Sequence, residues 1–326
     1  MKMNEIWDLK SIREASSRSE FYQFLNVGLK DLMFKAYRTA KTTYSSIVTF
    51  EESDKAKEGY PSLGNVALPE KILEGAPFVE RTIPPEDFVE ITNHKYGEII
   101  AITEELIEDD KTNQIKRLPM DLGNAHAKKE DKTVYSIING NPTIYDANAF
   151  FSLNHPGYTG GSAIGVNDNI YTNVTLSANA LAVALGIIGG WTGHTTEDLL
   201  DVVATHLVVP TNLKYTANLI TKSAFAPWAY AAGTLGPAAS VGQGKNVLAE
   251  EGLEVISSPR LDQTSTTDWY IKTDFIGIVF QWRQKLGLFE EPAEAGSRFE
   301  RDVRRWKSRS RWATTVLNWR GWMKVS

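Results

Sequence analysis

The sequence predicts an α+β subunit whose strands pair across long stretches of chain. Three observations carry this. A helix-patterned N-terminus gives way to about 55 residues of proline-punctuated extended chain, a long charged helix follows, and strand-patterned runs then recur between short helices to the C-terminus. Strands parted by helices and long loops, and not by tight turns, must find their partners far away in sequence.

Residues 1–45 are polar and helix-leaning, with Phe21, Phe24, Leu25, Leu29, Leu32, Met33 and Ala36 spaced as one helical face. From Ser46 to about Thr103 the character changes. Pro61, Pro69, Pro77, Pro84 and Pro85 leave few segments able to form a helix, and the alternating run Phe88 to Ile102 reads as a strand. So long an extended excursion is uncommon in a compact domain unless it is functional. Its apolar residues, Ile47, Val48, Phe50, Val66, Leu68, Ile72, Leu73 and Phe78, need a surface to rest on, and a neighbouring subunit would supply one.

Helix returns after the acidic run "TEELIEDD" (103–110), with Pro119 suited to a first turn. Leu122, Ala125, Lys129, Thr133 and Ile137, with Val134 and Ile138 alongside, make a stripe apolar at both ends and charged in the middle. Asn139-Gly140 supplies the stop. Such a helix is expected to be poorly covered by its own core and to lie along a surface or interface. A loop rich in Asn, Gly and Pro (141–175) precedes Ser177, a good N-cap for "ANALAVALGIIGGW". "THLVVP" reads as a buried strand and "TNLKYTANLI" as a helix capped by Thr211 or Asn212. A flexible loop is expected at 231–246. "LEVISSP", "DWYIKTD", "IGIVFQWR" and "LGLFEEP" are strands.

Composition narrows the function. With 42% hydrophobic and 23% charged residues the chain is globular, and a net charge of −5 does not make it a nucleic-acid polycation. The absence of cysteine excludes a disulfide framework, a thiolate metal site and a cysteine nucleophile, and fits a reducing cytosol. No signal-type apolar core begins the chain, and the longest apolar stretch, 180–191, is too short to span a bilayer, so a soluble product without membrane contact is expected.

The stretch "FFSLNHPGYTGG" places Ser152 near His155, with Ser162 beyond. "GGSAIG" puts Ile164 where a nucleophile elbow needs glycine, and triad members converge from separate segments. A turn-rich loop held by side-chain hydrogen bonds accounts for it better than a hydrolase does. His94, His126, His155, His194 and His206 are scattered, and His126 with Glu130 reads as a solvated pair. "NDN" at 167–169 lacks the rest of a calcium loop, and "VGQGKN" lacks a phosphate loop's spacing. No catalytic, metal or cofactor site is expected.

The strongest compositional signal is C-terminal. Residues 298–326 hold nine basic side chains against two acidic ones, a net +7, interleaved with Trp306, Trp312, Trp319 and Trp322. Phosphate contact with stacking is one reading. The favoured one is a strand whose arginines meet acidic groups of neighbouring subunits while its tryptophans bury, since Arg and Trp are enriched at interface hot spots.

The order of these parts resembles the major capsid protein of tailed bacteriophages, with the Hong Kong 97-type fold, and most closely the Mu-like phage major head proteins. Three segments carry the resemblance: "IAITEELIEDD" followed by "DLGNAHAKKEDKTVYSIINGNP"; the Phe-Ser then His-Pro of the stretch above; and "HLVVPTNLKYTANLI" followed by "GLEVISSPRL" and "DWYIKTDF". The resemblance implies an N-terminal arm at 1–45, an extended loop at 46–102 and a peripheral domain with a spine helix at 103–162. A mixed-sheet central domain at 163–290 and closing peripheral strands at 291–326 complete it, the last strand returning to the central domain. It implies a subunit of an icosahedral shell built from hexamers and pentamers, in the virion of a phage or prophage. Assembly would take place in the host bacterial cytoplasm, with a separate scaffolding protein, a portal, and packaged double-stranded DNA held non-specifically. Phe50, Leu68, Phe78, Lys129, Arg305, Trp306, Arg311 and Trp312 are the expected assembly residues. Lys55, Lys57, Lys71 and Asn318 match no cross-linking motif, and no cross-link is expected. An encapsulin-like compartment with enzyme cargo is the alternative within the same fold.

Overall fold

A computed structural model describes residues 18–63, 71, 72, 74, 78, 85–103, 105–106, 114–155, 168–193, 199–225, 245–292 and 302–326. Among the described residues the strands form two five-stranded sheets and a two-stranded ribbon. The first sheet draws on β1 (Thr49–Glu52), β4 (His94–Tyr96), β5 (Ile99–Thr103), β10 (Ile278–Glu290) and β11 (Val303–Val316), in the order β1-β10-β11-β4 with β5 also on β11. β1 runs parallel to β10, and the other pairs are antiparallel. The ribbon pairs β2 (Lys57–Leu63) with β3 (Pro85–Thr92). The second sheet runs β6-β12-β9-β7-β8 and joins β6 (Ile170–Tyr171), β7 (Ala204–Val209), β8 (Glu254–Ser257), β9 (Trp269–Thr273) and β12 (Trp322–Val325).

Strand pairing therefore joins residues more than two hundred positions apart, as expected, but the grouping differs in detail. "IGIVFQWR" and "LGLFEEP" are one strand, β10, bent by register shifts between Trp282 and Gln284 and between Gln284 and Gly287. β10 pairs along its length with β11, so 278–290 belongs to the first sheet and not with the 163–277 strands. The run Phe88 to Ile102 divides among β3, β4 and β5. The last strand, β12, does return to the second sheet, beside β9.

α1 (Arg18–Thr39) packs on α2 (Gln114–Gly140). Leu29, Met33 and Ala36 are buried, in keeping with the helical face read for them. Contact is closest at Gly123, where an added Cβ would lie 2.3 Å from the Met33 carbonyl oxygen. Only a residue without a side chain permits this approach. The long helix differs from expectation in three respects. Pro119 lies inside it. Its buried stripe is Ile115, Leu122, His126, Ala127, Glu130, Asp131, Val134, Tyr135 and Ile138, while Ala125 and Lys129 face outward. And it is well covered, with α1 on one side and β11 on another. The stripe was misread because its middle is polar: His126, Glu130 and Asp131 are buried and each is hydrogen-bonded to another element.

In the second sheet, Ser177 caps α3 (Ala178–Gly189) by accepting from the Ala180 amide. α4 (Lys214–Lys222) has no cap from Thr211 or Asn212; instead Asp262, from beyond β8, accepts from the Thr211 amide at 2.8 Å and from its hydroxyl. One continuous core runs through both sheets, from Phe280, Trp312 and Val316 to Leu207, Ile271, Trp319 and Trp322.

Candidate assembly surfaces

β11 has two chemically opposite faces. Alternation along a strand sends successive side chains to opposite sides. Arg304, Trp306, Ser308, Ser310 and Trp312 are buried, Trp306 against α1 and α2 and Ser308 against His126 of α2, whereas Arg305, Lys307, Arg309 and Arg311 lie on the other side, half-buried or exposed. Trp306, 1% exposed, is packed with Leu29, Met33, Ile102, Ile115 and Leu122. Trp312, also 1% exposed, stacks on Tyr96 at 4.1 Å between ring centroids and on Phe280 at 4.8 Å. Both tryptophans, expected at a subunit interface, are therefore committed to the subunit's own core. Their size and apolarity are satisfied there and leave no surface for a neighbour.

The outward face is basic. Lys95 lies opposite Arg311, and like charges set directly opposite one another cost stability. Gln284 stands on the other side of Arg311, Gly287 beside Arg309, and Phe289 and Ile99 flank Lys307. The Arg309 guanidinium lies 5.0 Å from the centre of the Phe289 ring. Among the described residues none of Arg305, Lys307, Arg309 and Arg311 forms an ion pair, and the Nε atoms of Arg309 and Arg311 have no hydrogen-bond partner. Phe289 and Ile99 remain exposed between these cations. At its far end the same face is covered by the root of the ribbon, where Ile91 packs on Val279 and Ala313.

The ribbon itself has little of its own to rest on. Phe88 is 65% exposed, and Phe78, which precedes β3 in sequence, is 88% exposed. The Phe88 ring lies against Gly59 of the opposite strand. The root is fastened by the Gln281 amide donating to Glu58 at 3.1 Å and by a 2.7 Å pair between Lys57 and Glu90. Phe50 sits on β1 with its ring against Tyr44 and Phe280, yet remains 44% exposed. Lys129 projects from the exposed side of α2 with its ammonium 5.7 Å from the Tyr96 ring. Leu68 falls outside the described residues. The structure thus brings Arg305 and Arg311 onto one face, but puts Phe50 on β1 and Phe78 in neither helix nor strand.

The Ser152–His155 stretch is a structural joint. His155, fully buried, places Nδ1 2.6 Å from Asp146 Oδ2 and Nε2 3.1 Å from Asn169 Oδ1 and 3.2 Å from the Phe150 carbonyl. The Asn169 amide is oriented by the Ser152 backbone N–H, which donates to Oδ1 at 2.8 Å. Both ring nitrogens are thus committed within the joint, Nδ1 to the Asp146 carboxylate and Nε2 to the Asn169 oxygen and the Phe150 carbonyl. The Ser152 hydroxyl accepts from the Asn154 amide within its own turn. Ser162 and the glycines around it fall outside the described residues. The imidazole instead stacks on Trp319 at 4.5 Å, and the Asn169 amide reaches the Phe150, Trp319 and Trp322 carbonyls. The joint ties the loop after α2 to the last strand. Among the described residues no cluster of three metal-ligating side chains occurs.

Sequence reasoning missed the buried acids of α2. Asp131 accepts from the Thr43 and Tyr44 amides and from Arg260, and Glu130 accepts from two tyrosines. Their partners lie about 90 and 130 positions away, so no local pattern could have marked them.

Against known proteins, the family model described as phage capsid protein matches residues 88–325. No curated protein matches the chain. Among solved structures, the procapsid of bacteriophage JBD30 is similar with a TM-score of 0.51 at 18% identity, covering 94% of this chain and 75% of that one. The capsid of the cyanophage P-SCSP1u gives 0.56 at 12% identity, covering 88% of each chain. The virus-like particle of Pyrococcus furiosus gives 0.51 at 9% identity, covering 91% and 97%.

Proposed function

The chain belongs to the phage capsid protein family, and on that premise we propose that it is the repeating subunit of an icosahedral phage head, assembled as hexamers and pentamers. Its fold is the Hong Kong 97-type capsid fold. The observation that carries the assembly reading is the pairing of two surfaces unsatisfied within one subunit: a two-stranded ribbon with exposed Phe88, and a basic sheet face with exposed Phe289 and Ile99.

These surfaces are complementary. The sequence from 74 to 90, which ends within β3, holds Glu74, Glu80, Glu86, Asp87 and Glu90 against one cation, Arg81, a net −4. In this reading the ribbon of one copy lies on the basic face of the next, its carboxylates on Lys95, Arg305, Lys307, Arg309 and Arg311 and its phenylalanines on the apolar spots. Identical subunits that overlap head to tail can close into a shell in this way. Phe78, Leu68, Arg305 and Arg311 remain assembly residues, Phe50 and Lys129 border neighbouring contacts, and Trp306 and Trp312 support the face from beneath. The first sheet with α1 and α2 corresponds to the peripheral domain, the second sheet with α3 and α4 to the central domain.

The Phe-Ser then His-Pro run supports a place among Mu-like head proteins. A structural and non-catalytic role suits the joint built on His155. Scaffold, portal and packaged double-stranded DNA are the partners such a head requires, with assembly in the host cytoplasm. Expression with a scaffolding protein should yield particles of tens of nanometres under negative stain. A chain that stays monomeric at high concentration with its scaffold would overturn the reading. Nucleic acid rather than enzyme cargo inside those particles separates a phage head from the encapsulin-like alternative.

A further inference from the structure

Glu130 lies near the middle of α2, 1% exposed, where three elements meet. Tyr37 near the end of α1 donates its hydroxyl to Glu130 Oε2 at 2.7 Å, and Tyr44 from the short 3-10 turn Tyr44–Ser46 donates to the same oxygen at 2.7 Å. The other oxygen, Oε1, is buried without a hydrogen-bond partner. Among the described residues no cation pairs with this carboxylate. The segment is fastened again by the neighbouring side chains of α2: Asp131 Oδ1 accepts from the Thr43 and Tyr44 amides, and the Tyr135 hydroxyl meets that of Thr43 at 2.7 Å. The hold of α2 on residues 37–44, the end of α1 and the turn after it, thus runs through Glu130, Asp131 and Tyr135, and Glu130 alone of these receives two tyrosine hydroxyls.

We propose that Glu130, Tyr37 and Tyr44 form a proton-controlled clasp, closed when Glu130 is neutral and loosened when it ionises, that sets how firmly α1 and the following turn are held on α2. The physical reason is the unpartnered oxygen. A buried anion with two donors on one oxygen and none on the other, and no counter-charge, is penalised far more than the neutral acid in the same place. The ionisable groups packed against it are Tyr37 from α1, Tyr44 from the turn and, on its own helix, Asp131 and His126. Burial and the nearby Glu130 charge push both tyrosines upward, so they stay donors. Asp131 is committed to the turn amides and to Arg260. His126 meets the Ser308 hydroxyl at 2.9 Å, and burial pushes it below the ordinary histidine range.

Burial also pushes Glu130 up to about 7, against the lowering effect of the two tyrosine hydrogen bonds. Release of α1 would return it towards the ordinary 4.5. With the acid's value raised in the closed state, closure is favoured as pH falls and weakened as pH rises through about 7. The gap limits the change in the opening constant to about 300-fold, of which about 70-fold falls between pH 5 and 8.5.

Hydrogen exchange of the full chain, corrected for the intrinsic rate at each pH, reads this directly. Amides of residues 26–44 should lose protection by about 70-fold between pH 5 and 8.5, while β7 and β9 should not. Glu130→Gln should be protected at every pH with no such slope. Tyr37→Phe and Tyr44→Phe remove donors that favour the ionised form, so each should move the midpoint to higher pH. A wild-type profile flat across this range would overturn the clasp. So would a slope that survives in E130Q, which would belong to His126 or another group. Should E130Q fail to fold, the tyrosine variants decide, and unmoved midpoints in both count against the proposal.

Discussion

Side chains on the two faces of β11 should respond oppositely to substitution. Trp306→Ala removes an indole 1% exposed, packed with Leu29, Met33, Ile102, Ile115 and Leu122 between α1, α2 and the sheet. Truncating such a residue costs about 3–5 kcal/mol, from lost transfer energy and a cavity the helices can fill only partly. Against a total stability on the order of 5–15 kcal/mol, this takes about a fifth or more. Arg309→Glu, three residues on and on the opposite face, forfeits a guanidinium 5.0 Å from the Phe289 ring and no ion pair among the described residues. A half-exposed contact of that kind contributes about 0.5–1 kcal/mol. Urea unfolding of the unassembled subunit should therefore show a much lower midpoint for W306A, and for R309E a shift several-fold smaller with unchanged slope. Assembly should reverse the ranking among folded proteins: R309E with R311E should assemble poorly while remaining stable. If R309E unfolds as easily as W306A, the two-faced account of this strand is wrong.

Two further outcomes follow from close contacts elsewhere. Gly123→Ala would gain helix propensity of about 1 kcal/mol in isolation, but the new methyl would lie 2.3 Å from the Met33 carbonyl and 3.1 Å from the Tyr37 amide. Backbone cannot yield as a flexible side chain can, so α1 must move away. We expect a net loss of about 1–3 kcal/mol, detected as faster proteolysis within α1; a stabilised variant would show that the helices are not in this contact. At the His155 joint, burial pushes the Asp146 carboxyl up, but hydrogen bonds from His155 and Asn148 and the charge of His155 outweigh it and hold the carboxyl below the usual aspartate range. A lowered folded value means that its contribution is full above about 4 and lost as pH falls through the folded value. Fluorescence of Trp319, stacked on His155, should change in that acid range and lose this transition in Asp146→Asn; an identical acid profile in the variant would refute the coupling.

Much of the architecture was legible in one dimension where the governing interactions are local. The Leu29–Met33–Ala36 face, the Ser177 cap and strands β7, β8 and β9 follow from periodicity and capping chemistry. The proline-punctuated excursion was rightly read as extended at its root, where β2 and β3 pair. The order of segments also indicated the Hong Kong 97-type capsid fold that the chain shares with solved phage capsids. The α2 stripe was not legible, because a polar residue reads as exposed until its partner is known. Glu130 is buried on account of Tyr37 and Tyr44, and His126 on account of Ser308. The joining of "IGIVFQWR" to "LGLFEEP" was hidden as well, since only pairing with β11 carries the strand through its irregular register.

By itself, the sequence determined that Arg305, Lys307, Arg309 and Arg311 of β11 would share one face and Trp306, Ser308, Ser310 and Trp312 the other, because period two is a property of the extended backbone. Which face turned inward was decided by the tertiary structure. α1 and α2 bring Leu29, Met33 and Leu122 against Trp306, and Tyr96 and Phe280 enclose Trp312, so burying the indoles leaves Arg305, Lys307, Arg309 and Arg311 on the outside. The tryptophans expected to bind neighbours became the core that holds the arginines in place. Burial is a property of the whole packed assembly of elements, and no single segment can specify it alone.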